Sequence, residues 1–241
     1  MTMKRWFCAL LCMILLVTSL PCLAETAERP QVGEHFLFGH WEQDNDETNG
    51  YEPLEWFVVD EDGDKLFVMT YRCIEVAIFY HKRVSRYWGN STLREWMNST
   101  WIDQLFTPEE KAHIQLTTVT NTNPHSVTGA GDDTLDYLYL MSRKECMQYF
   151  PEQEDRVAWP TAHAVAQGCT VSKKTGSTRW WLRTPGARKC DIQGIRIDGR
   201  YTSYGMQDVD WPTNCLRPVM WITWDEDMAE RIVPVEVEAA P

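Results

Sequence analysis

The sequence lacks the short motifs by which many enzyme classes are recognised. It contains no G-x-S-x-G nucleophile elbow, no phosphate-binding G-x-x-x-x-G-K-[ST] loop and no dinucleotide-binding G-x-G-x-x-G motif. It also lacks the C-x-x-C and H-x-x-x-H spacings that supply ligands to structural zinc. These absences argue against a serine hydrolase of that type, a nucleotide-binding enzyme and a structural zinc domain.

Positively charged residues are scarce. The chain has 23 Lys and Arg against 35 Asp and Glu, which gives a formal net charge of -12. Nucleic-acid binding is driven largely by neutralisation of phosphates, so we expect no nucleic-acid partner. An anionic membrane surface is disfavoured for the same reason. The acidic surface favours neutral or cationic partners.

Long apolar runs are confined to the N-terminus. Lys4 and Arg5 precede an apolar run over residues 7–20, and residues 21–24 end in a small-residue cleavage site, which is the pattern of a secretory signal peptide. The run is shorter than the roughly 20 residues that a membrane-spanning helix needs. We predict a signal peptide over residues 1–24, a secreted or cell-envelope location, and no membrane insertion after cleavage.

Cysteine is limited to five residues beyond this segment. They are Cys73, Cys146, Cys169, Cys190 and Cys215. An odd number leaves at least one thiol free or engaged with another molecule. Cys190 and Cys215 flank the final strands at opposite ends of a polar and aromatic loop, where neighbouring strands would bring them together. We therefore predict a disulfide between these two.

Six runs have the length and the β-branched or aromatic content of strands. The N-terminal three are FLFGHWEQ (36–43), LEWFVVDE (54–61) and KLFVMTYR (65–72). A hairpin turn at residues 62–64 is expected between the second and third, since Gly63 supplies the positive φ that such turns require. The C-terminal three are RWWLRTPG (179–186), IQGIRIDG (192–199) and LRPVMWI (216–222). We expect these last three to belong to one sheet.

The middle of the chain carries helix start signals. A Ser or Thr followed three residues later by Glu predicts a capping box, and the pattern occurs at residues 92–95, 107–110 and 142–145. A fourth short helix is expected over residues 161–167, ended by Gly168. One helical face carries apolar side chains, which is typical of core packing. These side chains are Leu93, Trp96, Met97 and Trp101.

Many of these segments also occur in one known family. The closing pieces WWLRTPG, I-x-I-D-G and LRPVMWI resemble the C-terminal signature of an uncharacterised bacterial family, the domain of unknown function 6273. The agreement extends in order to FLFGHWEQDN (36–45), EPLEWFVVD (52–60), STLREWMN (91–98), DDTLDYLYLMS (132–142) and PTAHAVAQG (160–168). More distantly, the arginine-rich closing strands are similar to those of the C-type-lectin-like fold of the formylglycine-generating enzymes.

The expected architecture is one α+β domain over residues 32–224. The distant resemblance implies a C-type-lectin-like arrangement of mixed and antiparallel sheets with several short helices. The following segment has six acidic residues, one arginine and two prolines, so we expect residues 225–241 to form a disordered tail.

The loop over residues 200–215 is the favoured ligand face. Its aromatic side chains offer rigid flat surface at low entropic cost, and its short polar side chains offer hydrogen bonds. Two nearby strand arginines either grip a ligand carboxylate or form internal ion pairs, with Glu55, Asp208 or Asp210 as the partners. The candidate ligand-binding residues are Arg183, Tyr201, Tyr204, Trp211, Asn214 and Arg217.

A first acidic cluster lies at the end of the long loop over residues 121–136. Asp132, Asp133 and Asp136 would ligate a hard cation through carboxylate oxygens. The alternative is that these side chains cap the backbone as the chain enters the next strand.

A second acidic segment has a calcium-like spacing. Asp44, Asp46 and Thr48 alternate, and Glu55 follows Asp44 by eleven residues. The alternative is a solvated acidic loop. We expect no cofactor, with calcium as the alternative at either segment.

These observations favour a secreted binding or surface-interaction module whose ligand is an extracellular glycan or peptide. The alternatives are an enzyme on a scaffold like that of the formylglycine-generating enzymes and a hydrolase that uses aspartates. Formylglycine-generating enzymes use a pair of active-site cysteines, and the motifs of this chain do not place such a pair. Cys169 with His163 or His125 would form a different catalytic arrangement, a thiol-imidazole pair.

Overall fold

Two main β-sheets, a larger one of five strands and a smaller one of four, share one hydrophobic core with a third sheet of two strands in the computed structural model, which describes residues 28–122, 129–202 and 207–235. The strands are β1 His35–Trp41, β2 Glu52–Asp62, β3 Lys65–Thr70, β4 Glu75–Val76, β5 Thr117–Val119, β6 Thr134–Asp136, β7 Trp180–Pro185, β8 Ile192–Ile195, β9 Cys215–Leu216, β10 Val219–Thr223 and β11 Val233–Val235. The helices are α1 Thr92–Trp96, α2 Ile102–Leu105, α3 Pro108–Lys111, α4 Arg143–Tyr149, α5 Ala162–Ala166 and α6 Glu226–Arg231. Sheets that are mainly antiparallel, with several short helices, confirm the predicted α+β class.

The larger sheet has five antiparallel strands in the order β10-β3-β2-β1-β11. Its centre is the predicted hairpin of β2 and β3, in which Asp62 pairs with Lys65. Gly63 has a φ of 63° in the turn between them, a conformation that glycine adopts without steric cost. The three strands predicted near the N-terminus are therefore confirmed.

The smaller sheet has the order β4-β9-β7-β8. All six residues of β7 are buried, which explains why this strand reads as a continuous apolar and aromatic run without alternation. The prediction of one sheet holds for the segments at 179–186 and 192–199 and is wrong for LRPVMWI. That run splits into β9, which pairs with β4 and β7, and β10, which pairs with β3. Pro218 lies between the two and has no N–H with which to continue a ladder.

Most of the helix start signals are confirmed. Thr107 and Ser142 both form complete capping boxes, with Glu110 and Glu145 returning the bond to the backbone of the cap residue. Thr161 caps α5 by accepting from the backbone of Ala164. The predicted box at residues 92–95 is wrong by one position, because Ser91 is the cap of α1 and accepts from the backbone of Arg94 at 3.1 Å.

The tryptophan-rich face of the first helices is part of the core, as predicted. Leu93, Met97 and Trp101 are at most 2% exposed, and Trp96 stacks on Trp101 with ring centroids 4.6 Å apart. Met97 and Trp101 are the first and last residues of a π-helical turn that joins α1 to α2. Among the described residues, no helix is both long and apolar enough to cross a lipid bilayer.

The segment after residue 224 is partly ordered, which corrects the prediction of a disordered tail over residues 225–241. Asp225 caps α6, which buries Met228 and Ala229, and β11 pairs with the edge of β1. The prediction was based on the average composition of residues 225–241, which is acidic. The few apolar residues in this segment are enough to pack a short helix and a short strand against the domain. Residues 236–241 and the predicted signal peptide, residues 1–24, lie outside the described residues.

Candidate functional site

Arg183 lies inside the protein and is 3% exposed. Its guanidinium forms a bidentate ion pair with Glu145, in which Nη2 donates to Oε1 at 3.0 Å. Nη1 also donates to the carbonyl oxygen of Leu140 at 2.7 Å, and Nη2 to that of Thr120 at 3.0 Å. Arg183 therefore joins β7 to α4 and is not available at a surface.

The predicted partners of this arginine are engaged elsewhere, so that part of the prediction is wrong. Glu55 accepts from His35 at 2.7 Å, and Asp208 and Asp210 each accept from Arg83 at 3.2 Å. The internal ion pair is real, but its carboxylate belongs to Glu145, the third residue of α4, which no local pattern near residue 183 identifies.

Arg217 is also buried, at 5% exposure, where the chain passes from β9 to β10. Its Nε donates to the carbonyl oxygen of Thr70 at 2.9 Å, and its charge lies over the rings of Phe57 and Trp180 at 5.4 and 5.6 Å. No carboxylate among the described residues forms an ion pair with it. Burial lowers its pKa. Arg217 therefore holds the two sheets together and does not face a ligand.

The other candidates on the loop over residues 200–215 differ in exposure. Asn214 is fully buried and its Oδ1 accepts from Gln207 at 2.6 Å, so it stabilises the loop from within. Tyr201 is partly buried between the guanidinium groups of Arg143 and Arg156, at 4.2 and 4.7 Å from its ring centroid. Tyr204 lies outside the described residues.

Trp211 is the exposed aromatic side chain of this loop among its described residues. It is 38% exposed, and its indole N–H donates to the hydroxyl of Thr213 at 2.9 Å. We expect Trp211→Ala to change the free energy of unfolding by less than about 1 kcal/mol, because a surface side chain outside the core contributes little to stability. Urea unfolding of both proteins measures this, and a loss above about 3 kcal/mol would place the indole in the core.

The three aspartates at the end of the long loop do not converge. Asp136 is fully buried and accepts from Arg94 at 2.6 Å and from the indole of Trp88 at 2.7 Å. Asp133 accepts from the backbone of Asn121 at 2.9 Å, which is the predicted capping alternative. Because Asp136 faces the core and is neutralised by an arginine, these residues do not form one metal-binding or hydrolytic carboxylate group.

The predicted disulfide does not form, and both of its cysteines are free. The sulfur of Cys190 lies 3.8 Å from a carboxylate oxygen of Asp208, because Asp191 and Asp208 pair in a β-bridge that folds the loop back on itself. Cys215 is fully buried on the other side, where its sulfur lies 3.4 Å from the hydroxyl of Thr178.

A cavity of about 470 Å³ lies at the end of β1, beside β4 and α5. Two aromatic rings form part of its wall, since Trp41 and Tyr51 lie with ring centroids 5.4 Å apart and Tyr51 is 53% exposed. Glu75 and His163 form another part. One carboxylate oxygen of Glu75 accepts from the indole N–H of Trp41 at 3.2 Å and contacts Nε2 of His163 at 3.1 Å.

A backbone bulge lies in β1 just before the residues of the cavity wall. The register between β1 and β2 shifts between Leu37 and His40, and Gly39 within this bulge has a φ of 65°. A Cβ at Gly39 would lie 2.5 Å from the ring of Phe106, so the close approach to α2 also requires glycine. Beyond this bulge, Trp41 and Glu42 both turn into the protein.

Glu42 is the most unusual residue of the cavity wall. It is only 3% exposed, and its Oε1 accepts from the backbone of Asn45 at 2.6 Å. Its other oxygen, Oε2, is buried and has no hydrogen-bond donor among the described residues. Carboxylate oxygens of Glu42, Asp44 and Glu52 lie within 4.8 Å of one another. A buried carboxylate is costly unless a cation or donors satisfy it, so this arrangement favours a positively charged partner.

The calcium-like pattern identified only part of this acidic group. Asp44 belongs to it, whereas Glu55 lies away beside His35 and Asp46 accepts from the hydroxyl of Thr48 at 2.6 Å. That hydrogen bond lowers the pKa of Asp46. Glu42 was not among the predicted site residues, although an acidic residue directly after the apolar run FLFGHW is a usable signal.

Two other cavities have less distinctive walls. One of about 590 Å³ opens beside Glu28 and Val235, at both ends of the described chain. One of about 290 Å³ lies between β5 and the exposed face of Trp221. The described residues of neither bring together aromatic rings, a histidine and several carboxylates as the cavity at Trp41 does.

The fold and this site define an α+β domain with an acidic, aromatic pocket at the junction of its two sheets. The chain belongs to the family DUF6273, a domain of unknown function, whose sequence profile matches residues 63–224. The matched part contains Glu75 and His163, whereas Trp41 and Glu42 precede it. Comparison with curated proteins and comparison with solved structures each returned no match.

Proposed function

We propose that this protein is a secreted binding module whose pocket at Trp41 and Glu42 holds a cationic group of an extracellular ligand. The observation that carries the proposal is the buried Oε2 of Glu42, which has no donor among the described residues. A protonated amine supplies both the positive charge and the N–H donors that such an oxygen needs. Peptides with lysine side chains and glycans that contain amino sugars present this group. Secretion rests on the signal-peptide pattern of residues 1–24.

The walls of the pocket suit such a ligand. An ammonium group is attracted to the faces of aromatic rings, and Trp41 and Tyr51 supply two rings in contact. The flat face of Tyr51 is open to solvent, so it can also pack against the apolar face of a sugar ring or an aliphatic stem. Glu42 would then anchor the charge while the rings hold the attached carbons.

The wider surface supports the same class of ligand. A net charge of -12 attracts cations and raises their rate of association at low ionic strength. Glu47 lines the pocket from an exposed position and adds negative charge at its rim. Binding is therefore expected to weaken as salt is added, mainly through slower association.

The predicted ligand face at residues 200–215 contributes through Trp211. The hydroxyl of Thr213, which accepts from this indole, itself accepts from Thr170 at 2.9 Å. Thr170 follows α5, the helix that places His163 in the pocket. An extended peptide or glycan anchored at Glu42 can follow α5 toward Trp211.

We also propose that the two main sheets have a C-type-lectin-like arrangement. This part of the proposal rests on the resemblance of the arginine-rich closing strands to those of that fold.

A thermal-shift screen tests the class of ligand. We expect a lysine-rich peptide or a glucosamine oligomer to raise the melting temperature by roughly 5 to 10 °C near 100 Kd, because a ligand that binds only the folded state stabilises it by about 2.7 kcal/mol at that concentration. The N-acetylated oligomer keeps the same sugar backbone but carries an uncharged acetamide in place of each amine, and we expect no shift with it. Equal shifts with both oligomers would contradict the proposal.

A calcium arm of the screen separates an amine from a metal ion as occupant. We expect no rise in melting temperature with millimolar calcium. One oxygen of Glu42 already accepts from the backbone of Asn45, so only the other oxygen is free within the described part of the chain, whereas calcium needs several oxygen ligands. A rise that Asp44→Asn abolishes would instead assign the carboxylates of Glu42, Asp44 and Glu52 to a metal ion.

A further inference from the structure

Three of the five cysteines beyond the predicted signal peptide lie close together. The side chain of Cys215 interacts with the side chains of both Cys169 and Cys73. Cys215 therefore lies in the middle of a row of three sulfur atoms. All five cysteines are free thiols, and Cys146 and Cys190 do not belong to this row.

Hydrogen bonds around the row place the segments that carry Cys169 and Cys215 side by side, independently of the thiols. Thr170 donates from its backbone to the carbonyl oxygen of Thr213 at 3.2 Å, and the two threonine hydroxyls are 2.9 Å apart. The hydroxyl of Thr178 donates to the carbonyl oxygen of Thr170 at 2.8 Å and lies 3.4 Å from the sulfur of Cys215. The segment after α5 and the segment before β9 thus run side by side.

We propose that Cys169 and Cys215 are a redox pair that closes to a disulfide, while Cys73 remains a thiol. The choice between the two contacts of Cys215 follows from access. Cys169 is partly exposed, whereas Cys73 and Cys215 are fully buried. An oxidant in solution therefore reaches Cys169 first, and the neighbouring Cys215 completes the bond.

The reaction balances with a small-molecule disulfide, RSSR, as the oxidant. The thiolate of Cys169 attacks one sulfur of RSSR, which releases RS⁻ and forms a mixed disulfide at Cys169. The thiolate of Cys215 then displaces the second RS⁻ and forms the Cys169–Cys215 bond. The two protons lost by the protein thiols are taken up by the two RS⁻ groups, so RSSR is reduced to two RSH.

The pair is expected to react slowly at neutral pH. The interaction with Cys215, together with burial, raises the pKa of the Cys169 thiol and keeps it protonated. The interaction with Cys169 lowers the pKa of Cys215, but the interaction with Cys73 and burial outweigh it, so the pKa of Cys215 is raised as well. Because the thiolate is the reactive form, the bridge needs prolonged exposure to an oxidising compartment or an exchange catalyst.

Closing the bridge ties together two walls of the pocket, a consequence that rests on the proposed function. Cys169 follows α5, which carries His163, and Cys215 begins β9, which pairs with Glu75 of β4. His163 and Glu75 meet at 3.1 Å in the wall. Oxidation would hold these two side chains in place and so strengthen ligand binding by preorganisation.

The test exposes the purified protein to oxidised glutathione, then blocks free thiols by alkylation and locates the modified cysteines by mass spectrometry. We expect one disulfide that links the peptides of Cys169 and Cys215, with Cys73, Cys146 and Cys190 alkylated. The oxidised protein should melt roughly 5 to 15 °C higher than the reduced protein, because the bridge closes a long loop. This result does not depend on any ligand.

Matched variants complete the test. Cys169→Ser and Cys169→Ala should both remove the bridge and the rise in melting temperature, whereas Cys190→Ser, at another partly exposed cysteine, should retain both. Reduced melting curves show that the variants are folded. A disulfide that contains Cys73, Cys146 or Cys190 would overturn the proposal. So would the absence of any disulfide once thiol–disulfide exchange with oxidised glutathione has reached equilibrium. Failure of amine binding with the bridge intact would count against the proposed function alone.

Discussion

Replacing Glu145 with alanine is expected to lower the free energy of unfolding by about 3 to 5 kcal/mol, because the change leaves the charge of Arg183 buried without its partner. The same carboxylate closes the capping box of α4 by accepting from the backbone of Ser142 at 2.6 Å. Its loss therefore also removes one of the two hydrogen bonds of this capping box. Urea unfolding at neutral pH measures the effect.

Asp103→Ala is the matched control for this prediction. Asp103 also pairs with a cation, Lys111, but its carboxylate is exposed and the lysine side chain is only partly buried. Exposed ion pairs contribute little, and we expect a loss below about 1 kcal/mol. A loss of similar size in both variants would show that the pair at Arg183 is no more important than a surface pair.

The same ion pair predicts how stability depends on pH. Burial alone would raise the pKa of Glu145, but the charge and hydrogen bonds of Arg183 and the bonds from Ser142 outweigh it, so the pKa lies below the ordinary value of 4.5. A depressed pKa in the folded state gives stability that is present above the unfolded value and is lost as pH falls through the folded value. Part of the acid-induced loss of stability should therefore be missing in Glu145→Ala.

The second large effect is expected at Glu42, where stability and binding should change in opposite directions. Glu42→Gln keeps the shape and the oxygen that accepts from Asn45, while it removes a buried negative charge. Without ligand, we expect the free energy of unfolding to rise by about 1 to 2 kcal/mol, since a neutral amide costs less to bury than an unpaired carboxylate charge. With an amine ligand, the variant should lose the charge partner on which binding depends.

Glu47→Gln is the control for this variant. Glu47 lines the same cavity from an exposed position, so its charge is solvated in the free protein. We expect its unfolding free energy to remain within about 0.5 kcal/mol of the original. A loss of stability in Glu42→Gln would mean that this carboxylate is needed for the fold itself.

Local patterns predicted the local features of the fold. The hairpin at Gly63 and the capping boxes at Thr107 and Ser142 depend on residues within a few positions of each other, so their sequence signals are complete. The one-residue error at Thr92 arose because Ser91, the neighbouring hydroxyl, satisfies the helix end equally well. Such alternatives are decided by packing beyond the local sequence.

Contacts between distant segments could not be predicted in this way. Arg183 is paired by Glu145, 38 positions away, and the run LRPVMWI divides between two sheets at Pro218. The pocket at Trp41 is lined by residues from β1, β4 and α5. The sequence of each of these segments, taken alone, is typical of a core strand or of a capped helix. The aromatic loop over residues 200–215 has a conspicuous composition, but its buried Asn214 is an internal hydrogen-bond acceptor.

Calorimetric titration of the original protein, Glu42→Gln and Glu47→Gln with the amine that gives the largest thermal shift tests the pocket most directly. The unpartnered oxygen of Glu42 predicts that Glu42→Gln loses at least about 30-fold in affinity, equivalent to ~2 kcal/mol, because it removes the buried charge partner of the ligand. Glu47→Gln should lose less than about 3-fold and mostly in its salt dependence. Equal affinities of the original protein and Glu42→Gln, with both folded, would contradict a cation-binding pocket at this site.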